Sequence, residues 1–109
     1  MLEAILGSAT KEKVLLFIVT RESGYARQIT DFFEISLTPV IGQLKNLEEA
    51  NILYAEMQGR TKIYRFNKRF PFLKELIALM EKALEFYPEE IVLKLKYNRK
   101  RPRRSNKPL

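Results

Sequence analysis

Cysteine and histidine are both absent from this 109-residue chain. Without thiols or imidazoles there is no disulfide, no thiolate or imidazole metal site, and no Ser–His or Cys–His catalytic pair. No metal and no cofactor is expected. Glycine is scarce, at four residues, and none of them builds a Gly-rich phosphate loop. The carboxylates, such as Glu48, Glu49, Glu81 and Glu85, fall on outward helix faces with no nucleophile beside them, so no enzyme is expected. Long apolar runs are missing too. The longest, VLLFIV at 14–19, is far short of the roughly 20 residues that span a bilayer. The opening MLEAILGS carries an early Glu and no basic segment, unlike a signal peptide. Together these absences predict a soluble cytoplasmic protein.

What is present is unevenly spread. The net charge is +7, yet residues 94–109 alone hold Lys94, Lys96, Arg99, Lys100, Arg101, Arg103, Arg104 and Lys107 with no acid. The rest of the chain is therefore close to neutral. Within it, residues 60–69 gather Arg60, Lys62, Arg65, Lys68 and Arg69, again without an acid. A near-neutral body with two basic outgrowths points to an anionic polymer as partner.

Periodicity divides the body. In TKEKVLLFIVTR (10–21), Val14, Leu15, Ile18 and Val19 have helical spacing, and Thr10 is placed to cap the start. After the break SGY, ARQITDFF (26–33) puts Ala26, Ile29, Phe32 and Phe33 on one side of a short helix. In SLTPVIGQLKNLEEANIL (36–53), Ser36 suits an N-cap, Pro39 is tolerable in the first turn, and Asn51 can take the left-handed position after the helix. Val40, Leu44 and Leu47 share one side, while Thr38, Gly42, Lys45, Asn46 and Glu49 lie opposite. This is a helix-turn-helix pattern with a polar outer face.

ILYAEM (52–57) and TKIYRFN (61–67) around Gln58-Gly59-Arg60 read as a β-hairpin. From Pro71 to Tyr87 a further helix is predicted, stopped by Pro88. Its apolar sector, widened by Phe72, Leu79, Ala83 and Phe86, spans about half the circumference, more than one core needs. A second copy of the helix would cover the surplus. Residues 89–97 fit a short helix or a strand equally. The last stretch, NRKRPRRSNKPL (98–109), cannot build a core and is expected to be disordered alone. The predicted fold is mostly α with a small β-hairpin: a winged helix-turn-helix with a three-helix core, a wing and a C-terminal dimerisation helix. It would occupy residues 1–93, with 94–109 as a basic tail.

From Ser8 to Tyr87, on the spacing of LTPVIGQLKNLEEANIL and the wing string EMQGRTKIYRFN, the sequence resembles the ArsR-like winged-helix transcriptional regulators. The resemblance implies a homodimer that lays residues 36–47 in the major groove of double-stranded DNA, with the wing over the adjacent backbone or minor groove. Carried over by position, Thr38, Pro39, Ile41, Gly42, Lys45 and Asn46 would face the groove, and Arg27, Arg60 and Lys62 would meet phosphate. The family's metal sensors bind through Cys and His, so metal sensing does not transfer. Glu34 stands where the turn usually has Gly, and Ile41 and Gly42 stand where polar or basic residues are common. The tail string RKRPRR, with Arg99, Lys100, Arg101, Arg103 and Arg104, is loosely similar to minor-groove arms and AT-hook cores, without the Gly beside Arg-Pro. No Arg lies on the reading helix, so base readout should be thin and phosphate contact should dominate. The expected function is a weakly specific, nucleoid-associated DNA-binding regulator, a repressor that covers a promoter. The alternative is a winged-helix module in which Ile41 and Gly42 dock a protein partner and the tail binds RNA.

Overall fold

A computed structural model describes residues 1–97. The element order is α1 (Glu3–Leu6), α2 (Ala9–Arg21), α3 (Ala26–Phe33), α4 (Leu37–Glu49), β1 (Leu53–Gln58), β2 (Thr61–Phe66), α5 (Leu73–Leu84) and α6 (Glu89–Tyr97). Among the described residues no helix is long and apolar enough to cross a membrane.

The central element is α2. Ser8, not Thr10, begins it: its backbone is extended and its hydroxyl accepts the Lys11 N–H at 3.1 Å. Val14 through Ile18 are buried without interruption, so Leu16 and Phe17 join the residues whose spacing marked an apolar stripe. The reason is topological. With α1, α3, α4, α5, α6 and β2 all packed against it, α2 has no broad solvent face.

The helix-turn-helix follows the sequence closely. α3 ends at Glu34, which adopts φ 55°. A left-handed conformation at a non-glycine residue costs on the order of 1 kcal/mol. Ser36 takes the N-cap position of α4 but its side chain makes no capping bond. Pro39, the third helical residue, lacks the N–H that an N-cap side chain commonly engages. At the other end Asn51 has φ 61°, with its N–H on Glu48 O at 3.0 Å and the Ile52 N–H on Leu47 O at 3.0 Å. This pair of bonds is the Schellman arrangement, which satisfies carbonyls left open by the helix end.

β1 and β2 pair antiparallel from Leu53↔Phe66 to Gln58↔Thr61, leaving Gly59-Arg60 as a two-residue turn. Gly59 supplies the positive φ, 63°, that such turns require. The wing is also anchored from behind. Gly24 and Tyr64 exchange backbone hydrogen bonds of 3.0 and 2.8 Å, so the SGY break contributes a third, one-residue strand contact.

α5 is shorter than the helix predicted for 71–87, because residues 85–87 continue as tighter turns onto Lys82, Ala83 and Leu84. Residues 89–97 resolve as helix. Leu95 is fully buried, and Arg21 donates from Nε to Leu95 O at 2.9 Å and from Nη2 to Lys94 O at 3.2 Å. The packed body therefore runs past the boundary expected at residue 93. Tail residues Arg99, Lys100, Arg101, Arg103 and Arg104 lie outside the described residues.

Candidate nucleic-acid interface

Burial of Val40, Leu44 and Leu47 fixes which side of α4 turns outward. Thr38, Pro39, Ile41, Gly42, Lys45 and Asn46 are all on the open side, and Ile41 shows 47% of its surface. A Cβ added at Gly42 would meet nothing within 4 Å, so the helix backbone itself is open to approach there.

Beside this face runs a groove of about 660 Å³, walled by the start of α3, α4 from Ile41 to Glu49, and the wing. It brings together five of the nine residues expected to meet DNA through the winged-helix body: Arg27, Ile41, Lys45, Arg60 and Lys62. Thr38, Pro39, Gly42 and Asn46 stand apart on the outward face of α4. Tyr25, Tyr64, Glu48 and Glu49 also line the groove and were missed by sequence reasoning as site residues. A helical wheel could have found the two acids, since both lie within one turn of Lys45. Tyr64 owes its place to a strand pairing with Gly24 that no local pattern announces.

The wing charge is less free than the run of residues 60–69 implies. Lys62 Nζ lies 3.2 Å from Glu48 Oε1, and Arg65 Nη1 lies 2.8 Å from Glu56 Oε1. The hydrogen bond to Glu48 leads the influences that raise the Lys62 ammonium above its ordinary range, followed by Tyr64. Its nitrogen sits 5.5 Å from the Tyr64 ring centroid. Among the described residues, Arg27, Lys45 and Arg60 form no ion pair.

Away from the groove, Phe72 and Phe86 are 65% and 66% exposed. Leu79 is half-buried. Ala83, expected to project with them, is buried and forms part of the floor of an apolar hollow of about 390 Å³ shared with Met1, Leu2, Leu79, Lys82 and Phe86. Small size explains its place: Ala83 cannot reach past its larger neighbours.

No family model and no curated protein matches this chain. Among solved structures, a double mutant of ZitR from Lactococcus lactis is similar, with a TM-score of 0.51 at 15% sequence identity, over 80% of this chain and 69% of that one. At that identity the likeness is one of fold, and it does not single out the ArsR-like branch. The fold is a winged helix: mostly helical, with a two-stranded antiparallel hairpin.

Proposed function

We propose that this chain is a double-stranded DNA-binding transcriptional regulator of low sequence specificity, a homodimer that represses by covering a promoter. The observation that carries this reading is the open outward side of α4 next to a groove shared with the wing and Arg27. The winged-helix likeness to ZitR supports it at the level of fold.

The chemistry of that face explains low specificity. Asn46 has the donor and acceptor that adenine pairs with, Ile41 suits a thymine methyl, and Thr38 and Lys45 donate. Without an arginine on α4 there is no bidentate grip on guanine. Arg27 and Arg60 are free to meet phosphate on either side, and the tail, with Arg99, Lys100, Arg101, Arg103 and Arg104, adds a second cationic arm. Dimerisation through Phe72, Leu79 and Phe86 would place two reading helices about 34 Å apart, one DNA turn, on a roughly palindromic site.

The test is a titration of duplex DNA, single-stranded DNA and structured RNA against the full chain and a chain ended after Tyr97, across salt. A duplex preference should survive truncation, with a salt slope shallower by about 0.9 for each phosphate that only the tail reaches. Loss of all binding with the tail, with RNA competing equally, would instead favour an RNA-associated module.

A further inference from the structure

We infer that Glu48 competes with DNA phosphate for the Lys62 ammonium, so that this acid sets a ceiling on the affinity of the interface. The inference rests on the DNA-binding reading above. Both partners line the groove, their charged atoms are 3.2 Å apart, and their side chains are 50% (Lys62) and 35% (Glu48) exposed.

An ion pair so placed could instead hold the wing against α4, but the wing has stronger anchors. Six cross-strand residue pairs, the buried Leu53 and Tyr64, and two hydrogen bonds to Gly24 fix it from within and behind. Exposed pairs contribute little to stability. What the pair changes is charge: it occupies one of the four cations that line the groove, Arg27, Lys45, Arg60 and Lys62. A lysine on a flexible stem can exchange one oxygen partner for another without moving the backbone. While Glu48 keeps hold of Lys62, the phosphate that this ammonium could reach goes unneutralised. The raised proton affinity of Lys62 agrees with this engagement and keeps it charged throughout.

Glu49 provides an internal control, because it lines the same groove without pairing to Lys62. Duplex DNA titrations of the full chain across salt should show Glu48→Gln binding roughly two- to fivefold tighter, the range expected of an exposed pair. Its salt slope should steepen by about 0.9, the increment for one more neutralised phosphate. Glu49→Gln should tighten binding less and leave the slope unchanged. Lys62→Gln should weaken binding only slightly alone, by baring the Glu48 carboxylate, and should cancel the gain when combined with Glu48→Gln. Equal effects of Glu48→Gln and Glu49→Gln, or a full loss from Lys62→Gln in the otherwise unchanged chain, would overturn the inference while Arg60→Gln still weakens binding. If no form binds duplex DNA, the functional reading fails and takes the inference with it.

Discussion

At the scale of single residues, two glycines that look alike in the sequence do opposite things. Gly24 is packed against the core, and an added Cβ would lie 3.0 Å from Phe17 Cδ1 and 3.3 Å from Ile29 Cδ1. Gly24→Ala should destabilise the fold by about 1–3 kcal/mol, as overpacking does, read as a lower urea midpoint. Gly42 faces open space, so Gly42→Ala should stabilise the free protein by about 1 kcal/mol through helix propensity. The same change should weaken duplex binding, because the new methyl stands where the helix backbone meets DNA. A stabilised variant with unchanged affinity would place DNA elsewhere. Glu12 is the residue that composition and spacing hid most completely. It sits one turn ahead of Leu16, is 1% exposed, and accepts hydrogen bonds from Leu2 N–H at 2.6 Å and from the Tyr87 hydroxyl. Burial pushes its carboxyl up, but the bonds from Tyr87, Leu2 and the N-terminal ammonium together prevail and hold it below the ordinary 4.5. A carboxyl depressed in the folded state binds more protons unfolded, so its contribution is complete above that ordinary value and is lost as pH falls below it. Glu12→Gln should therefore cost about 1–3 kcal/mol at neutral pH and much less in acid, measured by denaturant melts at both.

At the scale of elements, the pieces set by local chemistry were legible. The limits of α3 follow from its helical spacing after the SGY break, the left-handed Asn51 from its place after α4, and the pairing of β1 with β2 from the turn around Gly59. Elements decided by distant partners were not. Residues 89–97 offered no choice between helix and strand; Leu95 in the core, Ile91 and Val92 packed against it, and Arg21 on the α6 carbonyls decide it. Nor did α1 declare itself, being four residues whose flanking and terminal apolar side chains, Leu2 and Leu6, take meaning from packing against the core. If α6 belongs to the folded body, Leu95→Ala should cost about 2–5 kcal/mol, the usual range for a core leucine. A melting curve unchanged by Leu95→Ala would return α6 to the tail. Within the candidate site, the outward side of α4 was readable from its period alone. The positions of Glu48 and Glu49 near Lys45 were readable too, but the pairing of Glu48 with Lys62 was not, because it depends on where the hairpin folds back.

At the scale of the whole molecule, the surplus apolar sector of α5 persists as exposed Phe72 and Phe86, with Phe86 and Leu79 lining a hollow. Leu79→Lys should convert dimers to monomers in light scattering or sedimentation; an unchanged mass would remove the dimer from the account. The charge distribution is the other global feature. Two of the five wing cations are engaged by Glu48 and Glu56, so the winged body presents fewer free charges than its sequence suggests. The most direct measurement of where DNA sits is a set of amide chemical shifts from the labelled full chain as duplex DNA is added. Shifts concentrated at Thr38–Asn46, Arg27 and Arg60–Lys62 are predicted. Shifts confined to residues beyond Tyr97, with α4 undisturbed, would contradict the central claim that α4 is the reading element.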